Sequence, residues 1–242
     1  MKICCISDTH TKHDLITIPK DIDILVHAGG FTWTGEFFEV RDFLTWFASR
    51  PARHKILVAG NHDMSLDKTH KRFNADIRKM VLSWDGITYL EDEATKINGV
   101  KFYGTPWTPE FHGWGFNAVR DQDTPFYPQM RKLAEVYSNI PSDTNVLICH
   151  GPVYDILDKV DDAWGDSRTG SVEMRNITTK LKNLKLYICG HIHESRGMQH
   201  ADGEICYANV SSLDRDYETM RPPIIFHLDD DVNINKVEGY DI

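Results

Sequence analysis

Short apolar runs alternate with longer amphipathic stretches along this chain. Residues 2–6 (KICCI), 23–28 (DILVHA), 54–59 (HKILVA), 145–149 (NVLIC) and 185–189 (KLYIC) are rich in β-branched residues or cysteine and lack the polar alternation of a half-solvated strand. That continuity predicts strands covered on both faces. Between the runs helical spacing takes over. From Glu36 to Ala48, the residues Phe37, Val40, Phe43, Leu44 and Phe47 recur three and four positions apart and share one side of a helix. Weaker helical periodicity covers 68–82, 126–138 and 171–182. The last third changes character: 203–211 (GEICYANVS) and 221–228 (RPPIIFHL) read as strands joined by a loop without a helix. The expected architecture is α/β, with two mixed sheets flanked by helices rather than one doubly wound sheet.

At 242 residues the chain is expected to form a single domain over 1–242, with an acidic, peripheral tail from Asp229. Its 36 acidic and 27 basic residues give a net charge of -9, and no basic stripe is present to neutralise a long phosphate backbone. Long nucleic acid is therefore not an expected partner. A small phosphorylated ligand needs only local positive charge, which metal ions supply. The N-terminal MKICCISDTH enters a strand at once without the apolar core of a signal peptide, and no apolar run approaches a membrane span. These features read as a soluble, cytoplasmic protein with no membrane partner. Cys4, Cys5, Cys149, Cys189 and Cys206 sit in apolar runs without CxxC spacing, so they are expected as reduced core residues.

The candidate chemistry follows the apolar runs. Asp8-Thr9-His10, Gly29-Gly30, Gly60-Asn61-His62-Asp63, His150-Gly151-Pro152 and Gly190-His191-Ile192-His193 each begin where a strand should end. In α/β folds, ligands gather outside the carboxyl ends of strands, so these clusters can converge despite their separation. In extended backbone, residues two apart point the same way, which directs Asp8 and His10 into one pocket and His191 with His193 likewise. Taken singly, each cluster has an ordinary explanation as a turn, a cap or a buried histidine. Their order and shared position favour a two-metal phosphoesterase site.

That ordered set resembles the calcineurin-like metallophosphoesterase superfamily. The segments GFTWTGEFFEV, KILVAGNHD, YGTPWTPEFHGWGFN, CHGP, GHIHE, NVSSL and RPPIIF are similar to the metallophosphoesterase-domain-containing family, related to class III cyclic-nucleotide phosphodiesterases. The resemblance implies a four-layer α/β sandwich of two mixed sheets flanked by helices. It also implies two divalent metal ions, with Asp8, His10 and His193 holding one and Asn61, His150 and His191 the other. The donors suit Mn, Fe, Zn, Co or Ni alike. His62 would face the scissile phosphate and protonate the leaving group, with Asn61 also touching substrate and Asp63 orienting His62. A small phosphodiester, above all a cyclic nucleotide, is the implied substrate; a phosphomonoesterase or nuclease is the alternative.

Gly30 departs from the pattern. The resemblance expects an aspartate there, as the carboxylate shared by both ions, and glycine offers no side-chain donor. Occupancy of the second metal position is thus expected to suffer and activity to be impaired, which leaves open a catalytically weak nucleotide-binding pseudoenzyme. Glu36 and Asp63 are the nearby carboxylates available to compensate. Trp33, Trp107, Phe111, Trp114 and Phe116 are read either as stacking faces for a nucleobase or as loop packing.

Overall fold

The structure, a computed structural model, describes residues 1–125, 130–162 and 165–239. In chain order the first strands are β1 (Lys2–Ile6), β2 (Ile22–Ala28), β3 (Ala52–Val58), β4 (Thr88–Tyr89), β5 (Glu93–Ile97), β6 (Val100–Thr105), β7 (Thr108–Pro109) and β8 (Asn117–Ala118). There follow β9 (Val146–Cys149), β10 (Lys159–Asp162), β11 (Gly165–Arg168), β12 (Leu186–Cys189), β13 (Gly197–Ala201), β14 (Ile205–Asn209), β15 (Ile224–Leu228) and β16 (Ile234–Glu238). The helices are α1 (Phe37–Ala48), α2 (Ala75–Leu82), α3 (Leu133–Tyr137) and α4 (Val172–Thr178).

Two six-stranded mixed sheets dominate, in the orders β16-β15-β1-β2-β3-β4 and β13-β14-β12-β9-β6-β5. Each has a parallel centre, β1 to β4 in one and β6, β9, β12 and β14 in the other. Antiparallel strands complete the sheets: β15 and β16 at one side of the first, and β5 and β13 at the two edges of the second.

The two faces of each central strand enter different cores. Ile3 and Cys5 join Ile24, Val26, Ile56, Val58, Val146, Ile148, Leu186 and Ile188 in one buried cluster. The alternate residues Cys4, Ile6, Leu25, Leu57, Leu147 and Tyr187 belong to a second cluster with Val40, Phe43, Leu44 and Phe47 of α1 and with Leu133, Val136 and Tyr137 of α3. Burial on both faces is why the runs lack polar alternation. All five cysteines are buried and free.

The helices are shorter than their periodicity implies, because caps set their ends. Asn74 accepts from the Asp76 and Ile77 N–H groups and starts α2 there, so residues 68–73 of the expected 68–82 helix lie outside it. Ser171 caps α4 through the Met174 N–H, and that helix stops at Thr178 rather than at 182. Glu36 and Glu39 form a capping box on α1, but Phe37 stays 43% exposed, so the buried stripe is carried by Val40, Phe43, Leu44, Trp46 and Phe47. Of the expected 126–138 helix only α3 forms; residues 126–129 lie outside the described residues.

β14 and β15 are consecutive yet lie in different sheets, so the 210–223 connection passes from one sheet to the other. A parallel bridge from Ser7 to Ser211 ties the two sheets at that crossing. The tail beyond Asp229 forms the edge strand β16. Among the described residues, no helix is long and apolar enough to cross a membrane.

Candidate metal centre

The segments that follow β1 and β3 in one sheet and β12 and β14 in the other line a single cleft of about 490 Å³. Asp8, His10, Asn61, His62, His191 and His193 line it. His150 lies fully buried behind, its Nε2 2.9 Å from Asn61 Oδ1. Every position read from the sequence as a metal donor therefore reaches this one place.

The local backbone is not extended, contrary to the alternation argument. Asp8, His10 and Thr11 take φ of +51°, +39° and +64°, and His191 takes +69°. The Asp8, His10 and Thr11 N–H groups donate to the Gly29, Gly30 and Phe31 carbonyls, at 2.8, 3.1 and 3.0 Å. Backbone pairing between two strand-end loops thus turns Asp8 and His10 to the same side. Gly190 permits an equally close approach, since a β-carbon there would collide with the Asp8 carboxylate and the Ser7 hydroxyl.

Four imidazoles are oriented by one device. His10 Nδ1 donates to the Thr32 carbonyl (3.0 Å), His62 Nδ1 to Trp33 (2.8 Å), His150 Nδ1 to Ala28 (2.8 Å) and His193 Nδ1 to Asp214 (2.9 Å). With a proton fixed on Nδ1, Nε2 of His10, His62 and His150 presents its lone pair, the form a metal ligand or proton acceptor needs, while His193 Nε2, paired with Asp8, would give up a proton to a cation. His10 Nε2 is buried with no hydrogen-bond partner. An orphaned acceptor of that kind is costly unless a cation or donor fills the space.

Asp8 is the carboxylate at the centre. Its Oδ2 accepts from Ser7 Oγ (2.7 Å), the His191 N–H (2.9 Å) and Ser211 Oγ (2.9 Å), which aims Oδ1 into the cleft. Oδ1 stands 3.9 Å from His10 Nε2, 3.7 Å from His193 Nε2 and 3.9 Å from His150 Nε2. Asp8, His10 and His193 place one donor atom each within 4.8 Å of one another, forming a candidate metal site. Burial opposes ionisation of Asp8, yet its pairing with His193 and the nearby His150 and His10 hold the carboxyl well below its ordinary range. Burial presses His193 down, but Asp8 outweighs it and raises that imidazole. Burial lowers His10 and His150, and His191 to about 3. Neutral imidazoles bind a cation without first losing a proton.

The second cluster is neutral. Asn61 Oδ1 faces His150 Nε2 at 2.9 Å and His191 Nδ1 at 3.2 Å. Because His150 Nδ1 already donates to Ala28, its Nε2 is left as an acceptor beside the Asn61 amide, and a cation could be held by that nitrogen and the amide oxygen together. Both clusters therefore fit divalent ions.

Gly30 adjoins Asp8 at φ +72°. The two other carboxylates weighed as substitutes are engaged elsewhere. Glu36 caps α1 and pairs with Arg72 at 3.2 Å. Asp63 does not orient His62 either; it accepts from the Gly30 N–H (3.0 Å), Thr32 N–H (3.0 Å), Thr32 Oγ1 (2.7 Å) and Gly60 N–H (2.7 Å). It thereby ties the loop after β2 to the loop after β3. Burial pushes the Asp63 carboxyl up to about 7 against the pull of these donors.

The aromatic residues divide. Trp107 and Phe116 are 5% and 1% exposed and pack on each other in the core. Phe111 and Trp114 line the cleft, Trp114 with its ring 4.0 Å from that of His62. Trp33 lies 5.1 Å from the His10 ring. Tyr217, which no motif signalled, contacts the rings of His10, His193 and Trp33 from the 210–223 connection.

The chain is similar to known proteins over nearly its whole length. It is 35% identical to the metallophosphoesterase domain-containing protein 1 of Homo sapiens, over 94% of this chain and 71% of that protein. A UPF0046 protein of Caenorhabditis elegans is 32% identical, over 94% of this chain and 75% of its own. The calcineurin-like phosphoesterase family matches residues 1–195, which include both donor clusters and stop short of Tyr217. The chain thus belongs to the calcineurin-like phosphoesterase family and is a metal-dependent phosphoesterase.

Proposed function

We propose that the cleft hydrolyses small phosphodiesters, with cyclic nucleotides as the substrate class. The observation that carries this reading is the convergence of two donor clusters on Asp8 Oδ1, with His62 beside them. Asp8, His10 and His193 would hold one divalent ion and Asn61, His150 and His191 a second, drawn from Mn, Fe, Zn, Co and Ni. Bound there, such ions supply the Lewis acidity that withdraws charge from phosphoryl oxygens and eases deprotonation of water. Asn61 would also reach substrate through its amide.

His62 delivers the proton. Its Nδ1 is held by the Trp33 carbonyl, and Nε2, without a hydrogen-bond partner among the described residues, carries the proton to the departing alkoxide. Burial lowers this imidazole to about 4, so Nε2 is a free acceptor at neutral pH; it would take the proton released by the attacking water and pass it to the departing alkoxide.

The charge of the cleft supports a diester. Arg168 pairs with Asp158 and Asp155, and Arg120 donates to the Thr169 and Gly170 carbonyls, so both lining cations are already engaged. A diester brings one negative charge where a monoester brings up to two. Phe111 and Trp114 offer faces to a base, and stacking of that kind contributes about 1–3 kcal/mol. The net charge of -9 supports small substrates over long duplex. Five buried thiols support a cytoplasmic location.

The test is turnover of chromogenic mono- and diesters and of cyclic nucleotides after loading with each metal, alongside metal analysis. Preference for diesters is expected; preference for monoesters, or salt-sensitive binding and cleavage of random duplex, would overturn the reading. Gly30 favours one second reading, a nucleotide-binding protein with weak catalysis. Tight nucleotide binding without turnover by the metal-loaded chain would establish it.

A further inference from the structure

Tyr217 is held over the cleft by more contacts than a loop tyrosine needs. Its ring centroid lies 5.1 Å from that of His10, 4.7 Å from that of His193 and 5.0 Å from that of Trp33. Its backbone has φ +60°, an uncommon conformation for a bulky residue that persists only where its surroundings enforce it. They do so from several sides. The Tyr217 N–H donates to the Asp214 carbonyl at 3.1 Å, the same oxygen that receives His193 Nδ1 at 2.9 Å. Lys12 Nζ donates to the Tyr217 carbonyl at 2.5 Å, and the Asp214 carboxylate accepts the Glu218 and Thr219 N–H groups at 2.8 and 3.1 Å. One turn therefore places His193 and Tyr217 together.

The phenol hydroxyl is not used by this scaffold. It makes no hydrogen bond to the described residues, and Tyr217 lines the cleft. A phenol carries its proton at neutral pH and so can donate a hydrogen bond. A neutral donor beside the Asp8, His10 and His193 cluster suits an anionic oxygen.

We propose that Tyr217 is a substrate-contacting residue whose hydroxyl donates a hydrogen bond to a non-ester oxygen of the phosphoryl group bound over Asp8, His10 and His193. This rests on the phosphoesterase reading of the cleft given above. Its ring supports the two imidazoles, while its hydroxyl adds affinity for the phosphoryl group that neither of them supplies.

The experiment compares the full chain with Tyr217→Phe and Tyr217→Ala, each loaded with manganese, by metal analysis and by calorimetry with inorganic phosphate. Phenylalanine keeps the ring, so its metal content should match the parent while phosphate affinity falls about tenfold, the size expected for one hydrogen bond to a charged acceptor. KM for a chromogenic diester should rise in parallel. Tyr217→Ala should lose metal as well, because the support of His10 and His193 goes with the ring. If the parent binds phosphate and Tyr217→Phe binds it equally well, the proposal is wrong and the phosphoesterase reading survives. If the metal-loaded parent neither binds phosphate nor hydrolyses the diester, both fall; if it hydrolyses the diester without binding phosphate, an unchanged KM in Tyr217→Phe overturns the proposal.

Discussion

Asp8 Oδ1 occupies the space into which a side chain at position 30 would project: a β-carbon built on Gly30 would lie 2.6 Å from that oxygen. The same oxygen is 3.9 Å from both His10 Nε2 and His150 Nε2, one from each donor cluster. Glycine at 30 removes one carboxylate and at the same time leaves room for Asp8 to face both clusters.

Gly30→Asp should therefore have opposite effects without and with metal. In the metal-free protein the new side chain meets φ +72° and the Asp8 oxygen, a strain of about 1–3 kcal/mol that lowers Tm by roughly 2–4 °C per kcal/mol. Manganese should raise Tm more in the variant than in the parent, bring metal content toward two ions per chain and increase diester turnover, because the added charge binds cation in the folded state alone. Thermal melts with and without manganese decide it. Equal melts in both conditions would show that position 30 does not bear on the site.

Asp63→Asn should damage the cleft from behind. One carboxylate oxygen receives both the Gly30 and Gly60 N–H groups, and the other receives Thr32 through its N–H and hydroxyl. An amide places a donor against one of those pairs. A loss of about 1–3 kcal/mol is expected from two lost bonds to a carboxyl that burial raises to about 7 and so leaves partly charged at neutral pH, together with weaker metal binding. Denaturant unfolding and calorimetric metal titration read the two effects; a change below about 1 kcal/mol would refute the tie.

For His62→Ala the expected outcome is a drop in turnover of about 10²-fold or more with metal content nearly unchanged. Loss of metal in step with activity would make His62 a ligand or a structural support instead.

Burial pushes Cys4 and Cys206 up to about 12 and Cys149 up to about 11. Their thiolates are scarce at pH 8, and no thiol is exposed, so a chromogenic disulfide reagent should label the folded chain only at the rate of unfolding. Rapid labelling of any cysteine in native buffer would contradict the fold.

The central strands were legible because both faces are buried, which leaves an uninterrupted apolar run in KICCI, DILVHA and KLYIC. Edge strands were not. EATKI of β5, GMQHA of β13 and INKVE of β16 mix polar or charged with apolar residues, as strands with a solvated side do. Helix limits escaped because they depend on single capping side chains such as Asn74 and Ser171. Donors at strand ends announced themselves through residue type and order. Asp63 serves Gly30, Gly60 and Thr32 rather than His62, whose ring turns to the Trp33 carbonyl, so adjacency in sequence does not give the partner. Tyr217 lies in a polar loop with no motif around it, and only the crossing from β14 to β15 brings it to the cleft.

The acceptors that set His10, His62, His150 and His193 are main-chain carbonyls, belonging to Thr32, Trp33, Ala28 and Asp214. A carbonyl persists whichever amino acid carries it. The tautomers are consequently shielded from most substitutions at those four positions and yield only to changes that move a loop. Mutational drift in such a site falls instead on side chains that act for themselves, and position 30, where the functional atom would have to be a carboxylate, is of that kind.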